Sequence, residues 1–162
     1  MAADIMAMKR SLLIILCSVL LAGCQRGVIY TQFVELPQSG WDAQQAITFT
    51  PTITDTITNY QLQLTLRHND RYPYQNMWMF VEIIQDSLLV QPIDTIECYL
   101  ANERGEWQGG GICQYELPMI YDNNYRFKNS GTYHISIKQG MRSEQLQGIT
   151  AIGIKIISNE QK

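Results

Sequence analysis

Hydrophobic and polar residues alternate along most of the chain. In the segment "TNYQLQLTLRH" (58–68), apolar side chains occupy every second position from Tyr60 to Leu66. The segments "GTYHISIKQ" (131–139) and "TAIGIKIIS" (150–158) repeat this pattern. A period of two is typical of a β-strand that has one face in the core and the other in water. These three segments are therefore predicted strands.

Further apolar segments complete an all-β prediction. The segment "MWMFVEII" (77–84) is apolar on both phases, which predicts a central strand that is covered on both faces. Turn-forming stretches such as "QSGW", "QDS", "ERGEW" and "DNN" separate the other predicted strands, and only "MRSEQLQG" (141–148) favours a short helix. Those other strands are predicted at 28–36, 46–50, 87–91, 94–100 and 111–117. The pattern predicts a single antiparallel β-sandwich, in a jelly-roll-like form for example, with a closed barrel as the alternative.

The first 24 residues have the pattern of a lipoprotein signal. Lys9 and Arg10 precede the apolar run "LLIILCSVLL" (12–21), and the sequence "LAGC" ends at Cys24. The apolar run is about half as long as the ~20 residues that a membrane-spanning helix needs. Small residues ahead of a cysteine match the lipobox at which signal peptidase cleaves. We therefore predict that residues 1–23 are removed and that residues 24–162 form one domain, held on a membrane by lipid on Cys24.

The charge of the chain argues against a nucleic-acid partner. The whole sequence has 12 Lys and Arg against 15 Asp and Glu. Removal of residues 1–23 takes Lys9, Arg10 and Asp4 with it, so the mature domain is more acidic than the full chain. An acidic surface repels the phosphate backbone, and we expect no nucleic-acid binding.

Two cysteines, Cys98 and Cys113, remain in the predicted mature domain besides Cys24. In an oxidising compartment an even pair can form a disulfide. If Gly105 and Glu106 make a two-residue turn, the strands on either side pair so that Cys98 lies opposite Cys113. That register brings the two cysteines opposite each other, but as a hydrogen-bonded pair, whose Cβ atoms splay, and a bulge among the neighbouring glycines would change it. The alternative is two small buried thiols.

The sequence offers few residues for catalysis. His134 lies on the polar phase of its predicted strand, which predicts exposure to solvent. His68 and Asp70 are close in sequence, but no serine or cysteine nucleophile adjoins them. The glycines at 109–111 open a strand rather than a helix, so they lack the helix N-terminus that binds phosphate. We expect no enzymatic activity, no small-molecule substrate, no cofactor and no metal.

The segment "HNDRYPYQNMW" (68–78) concentrates aromatic residues in one connection. Pro73 fixes its own φ and keeps Tyr72 extended, so Tyr72 and Tyr74 are presented on a stiff loop ahead of a predicted central strand. Tyr72, Tyr74 and Trp78 are therefore candidate partner-binding residues. Two other interpretations stay open: a structural corner with Trp78 and Trp107 in the core, which we favour for the loop, or aromatic faces that bind a glycan.

Four segments together resemble one known family. They are "RHNDRYPYQNMW" (67–78), "GEWQGGGICQYE" (105–116), "FKNSGTYHISIKQGMR" (127–142) and "LQGITAIGIKI" (146–156). Their order and spacing resemble the GldH family, the gliding-motility lipoproteins of Bacteroidetes, over nearly the whole mature chain. The resemblance implies a non-enzymatic protein that supports the gliding machinery and the type IX secretion system. Its implied partners are other gliding or type IX secretion proteins.

The residues after Cys24 indicate a location if the source belongs to that group. Gln25 stands where an aspartate would retain a lipoprotein in the inner membrane, so we expect sorting to the outer membrane. The stretch after Cys24 also lacks the acidic run that is associated with surface display. We therefore expect the periplasmic face. A glycan-binding lipoprotein of the periplasm or the cell surface is the alternative function.

Overall fold

The computed structural model describes residues 27–86 and 88–159, and this part of the chain forms β-strands without any helix. The strands are β1 (Val28–Glu35), β2 (Trp41–Asp42), β3 (Ile47–Phe49), β4 (Thr52–Ile53), β5 (Tyr60–His68), β6 (Asn76–Gln85), β7 (Leu88–Leu89), β8 (Asp94–Tyr99), β9 (Tyr115–Tyr125), β10 (Gly131–Gln139), β11 (Gln145–Leu146) and β12 (Ile149–Ser158).

The strands form two main antiparallel sheets around one core. One sheet has four strands in the order β1-β12-β5-β9. In the six-stranded sheet β10 and β6 are central, β3 and β4 pair with the far edge of β10, and β7 and β8 pair with the far edge of β6. The short strands β2 and β11 pair with each other. The predicted all-β sandwich is confirmed, and the sheets do not close into the alternative barrel.

The core follows the alternation that the sequence predicted. Leu62, Leu64 and Leu66 of β5 and Ile135 and Ile137 of β10 are all buried. Removing a side chain of this size from water stabilises the fold by about 1.5–3 kcal/mol. Of the intervening polar residues, Thr65 is buried and Gln61 and Gln63 are half-buried, whereas His134 is exposed, as predicted.

Strand β6 corrects the prediction of a strand covered on both faces. Met77, Met79 and Val81 are buried between the sheets, but Trp78 and Phe80, on the other phase, are 38% and 41% exposed. β6 is central within its sheet, because β10 pairs on one side and β7 and β8 on the other. No described strand, however, covers its outer face.

Two local predictions are also wrong. The segment 141–148 is not helical, because Gln145 and Leu146 pair with Asp42 and Trp41 in an extended ribbon. The "DNN" stretch does not end a strand, since Asp122, Asn123 and Asn124 lie within β9. Asp122 Oδ1 accepts a hydrogen bond from the Asn124 backbone N–H at 2.7 Å, which is the local bond expected for a turn. This bond lies next to a shift in the register between β9 and β5.

Candidate functional site

Hydrogen bonds to Asn69 shape the loop between β5 and β6. The Asn69 carbonyl accepts a hydrogen bond from the backbone N–H of Tyr72 at 3.1 Å. Its side-chain Oδ1 accepts another from the N–H of Arg71 at 3.0 Å. Asparagine favours such turns because its short side chain reaches the backbone two residues on. These bonds reverse the chain and aim the Tyr72 side chain inward.

Tyr72 is a core residue, which corrects its prediction as a partner-binding residue. Its side chain is 2% exposed, and its hydroxyl donates a hydrogen bond to the Asn76 carbonyl at 2.7 Å. Burial raises the pKa of this phenol well above its usual value. A ring with no free face cannot contact another protein. For Tyr72, the structural-corner interpretation is the correct one.

Tyr74 lies at the surface of the same corner. It is 38% exposed, its ring packs edge-to-face on Tyr72 at 5.8 Å between centroids, and its hydroxyl lies 2.8 Å from Ser143 Oγ. The outer part of the Tyr74 ring remains accessible. Of the two tyrosines predicted to bind a partner, Tyr74 is the one that the fold presents.

An aromatic cluster lies beneath this corner, around His68. The His68 ring is 4.8 Å from Trp107, 5.3 Å from Tyr115 and 6.1 Å from Tyr72 between centroids. Its side chain is fully buried, and its Nε2 atom has no hydrogen-bond partner. Burial lowers the pKa of this imidazole, so the neutral form is favoured. His68 is therefore a packing residue, whereas Asp70 is exposed to solvent.

The hairpin that carries Trp107 has a different register from the predicted one. Ala101 pairs with Trp107, and the Asn102 side chain closes the turn by accepting hydrogen bonds from the N–H groups of Arg104 and Glu106 at 2.9 and 3.0 Å. The turn therefore spans more residues than the predicted Gly105–Glu106 pair. The Asn102 carbonyl also accepts a bond from the Gly105 N–H at 2.9 Å.

The two cysteines do not meet as the predicted register required. Both are free thiols, Cys98 buried and Cys113 exposed. Cys98 lies on β8 opposite Met77, while Cys113 lies in the loop ahead of β9. Burial raises the pKa of the Cys98 thiol to about 12. The predicted register is therefore wrong, because β8 pairs with β6 and Cys113 lies outside the strands.

Trp78 belongs to a different surface, the outer face of the six-stranded sheet. We define the outer face as eight of the outward side chains of β6, β8 and β10, namely Trp78, Phe80, Glu82, Thr95, Glu97, Tyr99, Ser136 and Lys138. Trp78 lies directly opposite Glu97, and Phe80 lies between Thr95 and Lys138. The Asn76 amide donates a hydrogen bond to the Glu97 carboxylate beside the Trp78 ring. Trp78 thus has the hydrogen-bonded polar pair Asn76–Glu97 beside it.

A shallow depression adjoins Phe80 on the outer face. Its volume is about 430 Å³, and Phe80, Glu82, Ile93, Thr95, Ser136 and Lys138 line it. Ile93 is 53% exposed at the rim. The walls thus combine apolar surface with one carboxylate, one ammonium group and two hydroxyls.

The described residues contain no group of three or more His, Cys, Asp and Glu residues that could hold a metal ion. This part of the chain also includes no helix that is long and apolar enough to cross a membrane. Cys24, the predicted site of lipidation, lies outside the described residues, as does the predicted signal segment.

Comparison with known proteins identifies the family. A family model described as GldH lipoprotein matches residues 28–156, which include nearly all of both sheets. The chain belongs to the GldH lipoprotein family. The resemblance that the sequence motifs indicated is confirmed.

Two individual members of the GldH family are similar to this chain over most of their length. The gliding motility lipoprotein GldH of Flavobacterium johnsoniae is 31% identical over 165 residues, which cover 97% of this chain and 99% of that protein. A gliding motility lipoprotein GldH homolog of Christiangramia forsetii is 28% identical over 147 residues, 85% of this chain and 88% of that one. Among solved structures, that of Tomato aspermy virus has a TM-score of 0.38 and 8% identity, covering 86% of this chain and 81% of that one, a likeness too remote to indicate function.

Sequence reasoning missed most of the outer face. The alternation places Phe80, Glu97 and Tyr99 on predicted strands but does not indicate a site there. The available signal was the phase of "NMWMFVEII", in which Trp78 and Phe80 share one face and Met77 and Met79 the other. A strand that is apolar on both faces is either covered on both or leaves one large apolar face exposed. The sequence pattern alone does not distinguish these two arrangements.

Proposed function

We propose that this chain is a non-enzymatic lipoprotein of the gliding apparatus, anchored in the outer membrane and supporting type IX secretion. The observation that carries the proposal is the family match. It covers residues 28–156, and a relative that is similar over 97% of this chain is named for gliding motility. The similarity thus extends over the whole described domain rather than one motif.

The predicted anchor supports a role close to a membrane. Cys24 precedes the first residue of β1 by four positions, and four residues reach at most about 14 Å. Two or more acyl chains on Cys24 would give stable anchoring. A domain on so short a tether stays beside the membrane surface, where it can hold neighbouring membrane-bound components.

The state of the potentially reactive side chains supports a non-enzymatic role. His68 is buried and neutral among aromatic rings, and Cys98 is a buried thiol with a raised pKa. A thiol acts as a nucleophile only when it is deprotonated, which burial opposes. The fold thus uses both residues for packing. We propose Tyr74, exposed beside Ser143, as a contact for a protein partner.

Deletion and complementation in the native host test this function. We expect that deletion stops single-cell gliding and the export of a reporter with a type IX signal, and that the wild-type gene restores both. A host that does not glide is scored on export alone. Cys24→Ala should restore neither, although immunoblotting shows the protein at wild-type abundance. Normal gliding and normal export in the deletion strain would contradict the proposal.

A further inference from the structure

The outer faces of the two sheets differ in whether other residues of the chain cover their aromatic rings. On the four-stranded sheet, Phe33 lies flat over Gly153, where an added Cβ would be 2.6 Å from the ring, and the Arg67 guanidinium covers it at 4.0 Å from the ring centroid. Arg67 also binds Glu116 at 2.8 Å. That ring already has a partner within the chain. The rings of the six-stranded sheet are arranged differently.

Three aromatic residues lie on neighbouring positions of the outer face. Trp78, Phe80 and Tyr99 are 38%, 41% and 54% exposed. Trp78 and Phe80 are two residues apart on β6, a separation of about 7 Å along a strand. Tyr99 extends the row, because it pairs with Asn76, the next outward residue beyond Trp78. The rings therefore form a stripe along the strand direction of a rigid sheet.

Gly140 keeps part of this stripe flat. Its backbone N–H donates to the Trp78 carbonyl at 2.7 Å, so it continues the pairing of β10 with β6. An added Cβ at Gly140 would lie 3.1 Å from Phe80 Cε2. The Phe80 ring thus occupies the space above Gly140 instead of standing away from the sheet. Its other side is open to solvent.

The stripe has no role in the core, since the inward phase of β6 already fills the space between the sheets. Exposed apolar groups that cluster on one surface commonly mark a binding site. Charged residues are interleaved with these rings: Glu97 opposite Trp78, Lys138 opposite Phe80, and Glu82 next to Phe80 on the same phase. The centre of a protein–protein interface is depleted of such charges.

Rings alternating with carboxylate, ammonium and amide groups complement a sugar. A pyranose with equatorial substituents presents a flat apolar C–H face, which stacks on an aromatic ring, and an edge of hydroxyls, which bind charged and amide groups. The depression of about 430 Å³ beside Phe80 is within the volume range of small-ligand sites. An extended ligand suits the length of the stripe better than a single compact one.

We propose that the outer face binds an extended chain of β-linked pyranose sugars. Trp78, Phe80 and Tyr99 stack on successive sugar rings. Glu97, Glu82 and Lys138 bind the hydroxyl groups along the edges of the chain. This binding site does not depend on the gliding role proposed above, and it differs from the corner around Tyr72.

Binding is measured on the full chain in a zwitterionic detergent, because sugar-headed detergents would compete. Intrinsic tryptophan fluorescence reports binding when cellohexaose or chitohexaose is added, because Trp78 is the exposed one of the three tryptophans. We expect saturable binding of at least one of these β-1,4-linked chains and none of maltohexaose, whose α-linkages curl the chain. Absence of binding to both β-linked hexamers, or equal binding of maltohexaose, would overturn the proposal.

Variants that keep an apolar side chain but lose the aromatic ring separate sugar stacking from general hydrophobic docking. Phe80→Leu should weaken binding about tenfold, the loss expected for one ring contact. Trp78→Leu should do the same when binding is followed by calorimetry. Phe33→Leu, which removes a similarly exposed ring from the opposite sheet, is the matched control and should bind normally. Unchanged affinity in both outer-face variants would refute the site.

Analytical ultracentrifugation tests the competing occupant, a second copy of this chain. The wild-type protein should show the same oligomeric state as Trp78→Leu when the detergent contribution is matched. An oligomer that Trp78→Leu dissociates, with no sugar binding by the wild type, would assign the outer face to self-association and overturn the glycan proposal.

Discussion

Gly148 lies directly against the backbone of Tyr72. A Cβ atom on Gly148 would lie 2.2 Å from the Tyr72 nitrogen and 2.4 Å from its Cα, and Gly148 has a φ of +84°. Its carbonyl accepts a hydrogen bond from the Asn69 N–H at 2.9 Å. The turn between β11 and β12 therefore locks the corner between β5 and β6, and only glycine fits there.

Gly148→Ala should destabilise the protein by about 3 kcal/mol, because it combines a left-handed backbone with a clash against another backbone segment. Urea unfolding measures the change. Gly105→Ala is the matched control, since Gly105 also has a positive φ of +78° but nothing within 4 Å of an added Cβ. The control should lose only about 1 kcal/mol. Equal losses in the two variants would show that the contact with Tyr72 is unimportant.

Tyr72→Ala should destabilise the fold by about 3–5 kcal/mol, as expected for a large buried ring. Tyr72→Phe keeps the ring but leaves the Asn76 carbonyl without its hydroxyl donor, at a cost of about 1 kcal/mol. Tyr74→Ala should change stability least, because that side chain is partly exposed. Thermal and urea unfolding of the three variants rank these effects. A Tyr72→Ala protein as stable as wild type would contradict the buried corner.

The free energy of unfolding should decrease as the pH is lowered, because of His68. Burial lowers its pKa in the folded state, so below about pH 6.5 the unfolded chain binds a proton that the folded chain does not. The stabilising effect is complete above that pH and is lost as the pH falls, by at most about 1.4 kcal/mol per pH unit. Urea unfolding at pH 7.5 and pH 5.0 measures this loss.

Two histidine variants identify the group responsible. His68→Phe keeps an aromatic ring in the cluster and should remove the histidine component of the pH dependence. His134→Gln changes an exposed residue and should leave that component in place. The assignment fails if His134→Gln removes the component and His68→Phe retains it.

The two thiols should react at very different rates. Cys113 is exposed and should label rapidly with a thiol reagent in the folded protein, whereas Cys98 is 7% exposed and has a raised pKa. We expect Cys98 to label only after unfolding. Mass spectrometry of labelled peptides before and after denaturation, without reductant, distinguishes the two. Protection of both residues until a reductant is added would instead demonstrate a disulfide.

Cys24→Ala should release the protein from the membrane fraction without changing its fold. The predicted anchor is the lipid on Cys24, and the first described strand, β1, begins four residues later at Val28. Fractionation after a high-salt wash measures the release, and thermal unfolding of the soluble variant checks the fold. A variant that still sediments with the outer membrane would show that another contact holds the protein there.

The sequence alone was sufficient for the fold class and the family. A period of two is a local property, because neighbouring side chains of a strand point to opposite faces, and it correctly placed Leu62, Leu64 and Leu66 in the core. The family motifs are contiguous stretches of sequence, so they can be recognised without knowing which strands pair.

Only the tertiary structure decided which of the candidate aromatic side chains are accessible. Tyr72 is buried because Trp107 and Gly148, both distant in sequence, lie against it, whereas Trp78 is exposed because no described strand covers the outer face of β6. Cys98 likewise lies opposite Met77 because β8 pairs with β6, and not with the segment that contains Cys113. Burial and register arise from contacts between residues that are distant in sequence, and the identity of a residue does not specify which segment will pack against it.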